Sequence, residues 1–198
     1  MALRVSAPVA PLGRRVVAFF LDGFVLVPAW ILYAVVLDGV FGPLVASDPG
    51  GAGVVVVAID APRVALELAL TLLTDAAYYA GSWVRWGMTP GQRVCGVAVR
   101  VADSNALPAP GGPRPPVPAR DRVSAQVATT RWAVLQVLPI CVASLGTAGA
   151  LSVGIVAGIT VGWSGLLFLS AAADPMRRAL HDRVAGTVVV VPGVPRLP

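Results

Sequence analysis

The sequence contains no lysine and little charge of either sign. All 15 basic residues are arginines, 10 residues are acidic, and charged residues make up 13% of the 198 residues. A soluble domain usually carries about 25% charged residues. So few charges cannot cover a surface that faces water, which argues against an ordinary soluble domain.

Histidine and cysteine are scarce as well. His181 is the only histidine, and Cys95 and Cys141 stand far apart without CxxC spacing. This set does not support a zinc or haem site, and no phosphate-binding motif or acid/base pair lies in a recognisable context. We therefore expect no metal, no cofactor and no enzymatic activity. The net charge of +5 comes from arginines that flank apolar runs, an arrangement that argues against nucleic-acid binding.

Apolar residues are abundant, at 57% of the chain and a mean hydropathy of +0.79. They form blocks long enough, at about 1.5 Å per residue, to cross a hydrocarbon layer about 30 Å thick. We predict an all-α membrane protein, a four-transmembrane-helix bundle with spans at residues 16–37, 62–86, 132–145 and 151–173. The count of four depends on a tight turn at residues 146–149, because three spans would place the basic tail outside.

The arginines cluster at the N-terminus, after the second span and in the tail. The positive-inside rule places such segments in the cytoplasm. We therefore predict a multi-pass protein of the cytoplasmic membrane with both termini inside. Its parts are a cytoplasmic N-terminus (1–14), a membrane domain (15–191) that includes an extended proline-rich cytoplasmic loop (103–122), and a C-terminal tail (192–198).

Acidic residues lie inside the first two predicted spans. Asp22 is in the first, with Arg15 two turns earlier on the same face. The second carries a polar stripe at spacings of three and four residues: Glu67, Thr71, Thr74, Asp75, Tyr78, Ser82 and Arg85. An ionisable group at this depth is by default a candidate functional site. The two stripes either lock helix packing through hydrogen bonds or handle protons or a monovalent cation.

Three glycines recur at four-residue intervals in the fourth predicted span: Gly154, Gly158 and Gly162. Small residues at this spacing let two helices approach closely. The pattern predicts tight helix packing, either within the bundle or between protomers.

Three motifs follow one another along the chain, at Gly13 to Asp22, Gly87 to Val97 and Leu180 to Thr187. In this order they resemble the RDD family of bacterial membrane proteins, named for an arginine and two aspartates. The resemblance assigns Arg15 and Asp22 to the first two named positions and Asp182 to the third, with Asp75 as a rival. It implies a bacterial cytoplasmic membrane and no single established activity, although transport has been proposed and some members are associated with sodium/proton antiport.

The second motif includes Gly87, Thr89, Pro90, Gly91, Arg93 and Gly96, with Gln92 where the family often has lysine. The valine-rich segments 97–101 and 187–191 follow the second and third motifs. We predict that they pair as a small two-stranded cytoplasmic sheet; the alternative is that they lie on the membrane surface. Asp182 is expected to cap or anchor its segment against an arginine such as Arg93.

Two functions remain open. In the first, Asp22 and Asp75, with Glu67, bind a proton or cation in a transport-like role. In the second, the chain is a non-catalytic scaffold or accessory subunit that binds another membrane protein through the glycine face of the fourth span. Besides the lipid bilayer, a homo-oligomer is an expected partner, because four spans make a thin wall for a transport path.

Overall fold

The structure is a computed structural model of the whole chain. It describes residues 5–42, 45–47, 54–56, 61–102, 117–120, 123–147 and 151–192. Several predicted features lie outside these residues: most of the proline-rich loop 103–122, the centre of the turn 146–149 and the tail from residue 193.

Four long helices make up most of the described chain: α1 (Leu12–Phe41), α2 (Ala61–Trp86), α4 (Ala125–Thr147) and α5 (Val153–Ala173). By length and composition, α1, α4 and α5 are able to cross a membrane. Helix α2 has 26 residues but is more polar and does not meet that criterion. The described residues therefore contain three candidate membrane spans and a fourth long helix.

The helix α4 begins at Ala125, seven residues before the predicted start at residue 132. The side chain of Ser124 caps it by accepting a hydrogen bond from the Val127 amide at 3.3 Å, which satisfies a free amide of the first turn. The polar residues 125–131 hid this first part of the helix from a hydropathy argument. Directly afterwards, Ala133–Val137 forms a π-helical turn before the α-helix resumes.

A four-stranded antiparallel sheet lies at one end of the helices. Its strands are β1 (Val5–Ala7), β4 (Ala98–Ala102), β5 (Val117–Arg120) and β6 (Thr187–Val190), in the order β1-β5-β4-β6. A separate hairpin of β2 (Val45–Ser47) and β3 (Val54–Val56) joins α1 to α2. In the larger sheet β4 lies beside β6, with Val99 opposite Val189.

This sheet is larger than the predicted two strands. Strand β5 lies within the segment that was predicted as a proline-rich loop, and it pairs with both β1 and β4. The chain after β1 then reaches the opposite edge, where Val9 bridges Val190 and the Ala10 amide donates to the Val189 carbonyl at 2.9 Å. Residues 5–7 thus form one edge strand of the sheet, and residues 8–10 cover the β6 edge and protect it from pairing elsewhere.

Each long helix has one end at the sheet. At the start of α1, Arg15 donates to the Val189 carbonyl at 3.1 Å, and beyond the end of α2, the Val99 amide donates to the Gly87 carbonyl at 2.8 Å. Near the start of α4, Arg131 lies 3.3 Å from Thr187. Beyond the end of α5, the Leu180 amide donates to Ser170 at 2.9 Å. The four helices therefore alternate in direction, with the sheet at one end of the bundle.

Two short helices make the connections to the central strands. Helix α3 (Pro90–Val94) lies between α2 and β4, and α6 (Leu180–Val184) lies between α5 and β6. The buried side chains of Trp83, Tyr79 and Leu26 pack with Val97 and Val99 in one apolar core that joins the helices to the sheet. This core fixes where the buried acidic residues lie.

Candidate functional site: buried acidic residues of the bundle and its base

Asp22 is almost completely buried, with 1% of its surface exposed, and three groups donate hydrogen bonds to its carboxyl group. The Thr89 hydroxyl lies 2.6 Å from Oδ2, and the Tyr78 hydroxyl and the Gly91 amide lie 2.7 and 2.8 Å from Oδ1. Both carboxyl oxygens therefore have partners. Through them, Asp22 of α1 is joined to α2 and to α3.

The first turn of α3 is built to receive this carboxyl group. Thr89 and Gln92 form a capping box, in which the Gln92 amide donates to Thr89 Oγ1 at 3.2 Å and the Thr89 amide donates to Gln92 Oε1 at 3.0 Å. A Cβ on Gly91 would lie 2.7 Å from Asp22 Oδ1 and even closer to the Ala18 carbonyl oxygen. The glycine of this motif is therefore required by the close approach of α1.

Arg15 does not contact Asp22, although the two share a helix face. Its guanidinium points toward the sheet, as side chains on a helix lean toward the N-terminus, and lies 3.3 Å from Asp182 Oδ2. Sharing a helix face therefore does not bring Arg15 and Asp22 into contact. The two named motif residues of α1 instead hold different parts of the structure.

Asp182 lies at the centre of a buried charged cluster. It is 0% exposed, and its closest cationic partner is Arg131 of α4, at 2.7 Å from Oδ1. Oδ2 accepts the Ala179 amide at 3.2 Å, which caps α6. Asp182 therefore caps its helix, as expected. The arginines that it contacts are Arg131 and Arg15, whereas the expected partner Arg93 is exposed.

This cluster perturbs the titration of its members at the base of the bundle. Burial alone would raise the pKa of Asp182, but Arg131, His181 and Arg15 hold it below its usual range. Burial lowers the pKa of His181 to about 4; the carboxylate of Asp182 opposes this effect, while Arg131 and Arg15 add to it. At neutral pH the cluster therefore contains two guanidinium groups, one carboxylate and a neutral imidazole.

Asp75 is as buried as Asp22, with 1% of its surface exposed, but only one of its carboxyl oxygens has a hydrogen-bond partner among the described residues. Oδ2 accepts a hydrogen bond from the indole N–H of Trp132 in α4 at 3.1 Å. Oδ1 is buried and has no hydrogen-bond partner among the residues that the structure describes. A buried polar atom without a partner is uncommon and calls for an explanation.

The rest of the predicted stripe on α2 is only partly inside the bundle. Glu67, Thr71, Thr74 and Tyr78 are half-buried. Tyr33 of α1 is hydrogen-bonded to Thr74, and Tyr78 reaches Asp22, so the stripes of α1 and α2 do meet. Asp22 and Asp75 are not hydrogen-bonded to each other; Asp22 bonds to Tyr78, and Asp75 bonds to Trp132.

The predicted glycine row does not pack inside the chain. Gly154, Gly158 and Gly162 are exposed, and no atom lies within 4 Å of a Cβ built on any of them. The close approach between α4 and α5 occurs at Gly146, where a Cβ would lie 2.6 Å from Val156. Packing of the row within the bundle is therefore not observed, and packing between protomers remains a prediction.

Sequence reasoning missed Arg131 and Trp132. Arg131 was assigned to a basic loop, but it is 3% exposed and stacks on Trp83, with its guanidinium carbon 4.6 Å from the ring centre. Trp132 was interpreted as the start of a span. An Arg-Trp pair in the first turns of a capped helix was the available signal, and the cap at Ser124 was needed to see it.

Comparison with known families supports the resemblance found in the motifs. The model of the RDD family matches residues 9–109, just over half of the chain. The chain belongs to the RDD family. The match includes Arg15, Asp22 and the motif of α3, so the buried Asp22 contact lies within the matched part of this RDD protein. It ends before Asp182, whose place as the third named residue stays an assignment by motif.

Searches among curated proteins and among solved structures each found no match. Family membership and the three apolar helices together describe a multi-pass membrane protein. What it does must be argued from its own residues.

Proposed function

We propose that this RDD protein crosses the bacterial cytoplasmic membrane four times and that Asp75 binds and releases a proton within the bundle as part of a proton-coupled transport activity. The observation that carries this proposal is the unpartnered oxygen of a fully buried carboxyl group in the middle of a long helix. Intramembrane carboxyl groups of this kind are typical of proton relays in transporters.

The length and environment of α2 support a fourth crossing. Its 26 residues extend for about 39 Å, which exceeds a hydrocarbon core of about 30 Å. Its buried polar residues are Arg63, Asp75 and Ser82. Because these three groups are buried, they lower the hydropathy of α2 without facing lipid, and the exposed Arg85 lies in the last turn of the helix, at the sheet end.

The distribution of arginine supports a cytoplasmic sheet. The arginines of the motifs, Arg14, Arg93 and Arg183, are exposed near the end of the bundle where the sheet lies. At the opposite end, Arg63 is buried and bonded to Asp38 and the Gly42 carbonyl. By the positive-inside rule the sheet end is cytoplasmic, and β1 and β6 then lie on that side.

The surroundings of Asp75 favour a proton over a metal cation. A dehydrated monovalent cation needs several oxygen ligands at once, whereas the described partner of Asp75 is an N–H donor, Trp132. A neutral carboxyl group accepts this bond and has no charge to solvate. The unpartnered Oδ1 is the atom to which a proton adds.

Asp22 is the weaker candidate for the same role. Its two oxygens accept three hydrogen bonds, and losing them would detach α3 from α1. We therefore assign Asp22 to structural support and restrict the proton-handling role to Asp75. Glu67 is half-buried on the same stripe and serves as a matched control.

The test is proton flux in proteoliposomes that contain the purified protein. We expect flux driven by a gradient of pH or of a coupled solute in the wild type, its loss in Asp75→Asn, and its retention in Glu67→Gln. Asp75→Asn keeps an acceptor for Trp132 but cannot exchange a proton. Flux that is unchanged in Asp75→Asn, or no flux in the wild type under any gradient, would contradict the proposal.

A scaffold role is the alternative, and one observation favours it. The glycine row of α5 is exposed and has open space in front of it, so that a helix of a second copy or of another membrane protein fits closely against it. This role needs no proton at Asp75 and predicts no flux.

A further inference from the structure

The short helix and strand that follow α2 are repeated after α5. Helix α3 and strand β4 follow α2, and helix α6 and strand β6 follow α5. Aligned at an offset of 90 residues, Arg93-Val94 matches Arg183-Val184, and Gly96 matches Gly186. The sequence similarity is short, but the backbone extends it.

The backbone conformation repeats at the same offset. Gly87 and Arg177 both have positive φ, of 69° and 53°, and Gly96 and Gly186 have φ of 63° and 64°. Arg177 is the one described non-glycine residue with positive φ, a conformation that is uncommon for such a residue. The repeat explains why the chain adopts it there.

The hydrogen bonds of the two segments repeat as well. The amide of Arg93 donates to Thr89 and that of Arg183 to Ala179, at 2.8 and 3.0 Å. The amides of the two glycines that end the helices each donate to the arginine carbonyl at 3.2 Å. The third residue of each short helix, Gln92 or Asp182, accepts a bond from the amide of the residue before the helix.

The pairing of β4 with β6 relates the two segments by a two-fold axis. Val99 lies opposite Val189, which is its own counterpart at the offset of 90. On either side, Ala98 pairs with Val190 and Arg100 pairs with Val188. At the offset of 90, Ala98 corresponds to Val188 and Arg100 to Val190, so exchanging the two segments converts one pair into the other. The axis therefore passes through the Val99–Val189 pair.

The repeat divides the membrane part into two units. The first contains α1, α2, α3 and β4, and the second contains α4, α5, α6 and β6, so that each is a pair of long antiparallel helices followed by a short helix and a strand. Many transporters consist of repeats that are related by an axis along the membrane normal, with the coupling-ion site at the interface between them.

Asp75 lies on the interface between the two units. It belongs to α2 of the first unit and bonds to Trp132 of α4 in the second. Closer to the sheet, Arg131 stacks on Trp83, which is also a contact between the units. Together with the β4–β6 pairing, this second contact holds the units together at the sheet end.

Helix α4 has an irregular turn next to the bond between Asp75 and Trp132. The π-helical turn Ala133–Val137 begins directly after Trp132. A π turn interrupts the regular hydrogen-bond ladder of an α-helix and is a common place for a helix to bend. The part of α4 beyond Trp132 is thus able to move while Arg131 stays anchored to Asp182.

We propose that the two units are joined at the sheet end, that α4 of the second unit bends at its π turn, and that loss of the proton from Asp75 thereby opens the interface between α2 and α4. This proposal rests on the proton-binding role assigned to Asp75. A neutral carboxyl group fits the packed interface, whereas an ionised one with an unpartnered oxygen requires water. Opening at the π turn admits that water.

Among the groups around Asp75, we assign the opening of the α2–α4 interface to Asp75 itself. On its own helix the nearby titratable groups are Tyr78 and Tyr79, and α1 contributes Asp22, which is hydrogen-bonded to Tyr78. Helix α4 contributes Trp132, together with Gln136, which interacts with Tyr79. Among these described groups, Asp75 is the carboxyl group with an oxygen that lacks a partner.

The test is to measure distances between spin labels on the full chain as the pH changes. With Cys95 and Cys141 replaced by alanine, labels at Leu66 of α2 and Leu145 of α4 report the distance between units at the end away from the sheet. The control pair, Val36 of α1 and Leu66, lies within the first unit. All three labelled positions are exposed.

We expect the distance between Leu66 and Leu145 to increase from acidic to alkaline pH by more than the width of its distribution, while the control distance stays constant. In Asp75→Asn the first distance is expected to stay at its acidic value at every pH. An equal change in both pairs would show that the first unit changes internally and that the opening is not confined to the interface between α2 and α4, and would overturn the proposal.

Infrared spectroscopy on the same samples measures the protonation of Asp75, and this measurement distinguishes failure of the hinge proposal from failure of the proton-binding role. If Asp75 titrates but the distance between units does not change, the hinge proposal is overturned and the proton-binding role stands. If Asp75 does not titrate, the proton-binding role is overturned and the hinge proposal falls with it.

Discussion

Replacing Asp182 by asparagine tests how strongly the buried charged cluster holds the helices to the sheet. The carboxylate contacts Arg131 at 2.7 Å and Arg15 at 3.3 Å, and its side chain is 0% exposed. Asparagine has nearly the same shape and still accepts the bond from the Ala179 amide that caps α6. The substitution therefore removes the charge and places an NH2 group, which cannot accept a hydrogen bond, where Oδ1 faces Arg131.

The expected loss of stability is large because two guanidinium groups remain buried without a counter-ion. Removing one partner of a buried ion pair costs about 3–5 kcal/mol. For a chain of this size, each kcal/mol lowers the melting temperature by about 2–4 °C. We therefore expect Asp182→Asn to melt about 6–20 °C below the wild type.

The assay is thermal unfolding in detergent micelles, followed by tryptophan fluorescence. The matched control is Asp38→Asn, which also removes a carboxylate bonded to an arginine, Arg63, but one whose side chain is 50% exposed. Arg63 stays buried in this variant and keeps its bond to the Gly42 carbonyl, but water reaches the Asp38 side of the pair, so we expect a smaller loss of stability than in Asp182→Asn. If Asp182→Asn lowers the melting temperature no more than Asp38→Asn does, the central role of Asp182 is wrong.

Two further predictions concern the base of the bundle. Gly91→Ala is expected to lower the free energy of unfolding by about 1–3 kcal/mol, because its Cβ would overlap Asp22 Oδ1 and the Ala18 carbonyl. The control Gly13→Ala places its Cβ in open space and should leave the stability unchanged. Equal melting temperatures of the two variants would refute the close approach of α1 and α3. The pKa of His181 falls to about 4 in the folded protein. The folded state therefore binds fewer protons than the unfolded state between about pH 4 and pH 6.5. The contribution of His181 to the free energy of unfolding is fully present above this range and decreases by about 3 kcal/mol as the pH falls through it. His181→Gln should remove this pH dependence of the melting temperature, and a variant with the same slope as the wild type would refute the prediction.

The long helices could be predicted from the sequence because hydropathy depends on residues that are close along the chain. The ends of α1, α2 and α5 lie within a few residues of the predicted spans. The start of α4 was missed because it depends on a cap, Ser124, and on a polar first turn that hydropathy scores as a loop. Local chemistry, more than composition, decides where this helix begins.

The partners of the buried charges could not be predicted from the sequence. Helical spacing correctly placed Arg15 and Asp22 on one face, but their contacts are with residues far along the chain: Asp182 for Arg15, and Thr89 with Gly91 for Asp22. Such contacts depend on how the sheet folds against the bundle. A periodicity argument contains no information about that packing.

The structure also changes which acidic residue is the functional candidate. The sequence treated Asp22 and Asp75 alike, since both lie in apolar spans at similar depth. Their difference is the number of donors, three for Asp22 and one for Asp75. We therefore assign Asp22 to the support of the fold and propose Asp75, whose Oδ1 has no partner among the described residues, as the proton-binding residue.

The most direct test of the proton-binding role is the infrared spectrum of the protein in lipid bilayers as the pH is raised. We predict that, beside the bands of the other carboxyl groups, the wild type has a band from a protonated carboxyl group that disappears as the pH is raised and that is missing from Asp75→Asn. Titrating carboxyl bands that are identical in the wild type and Asp75→Asn would contradict the account.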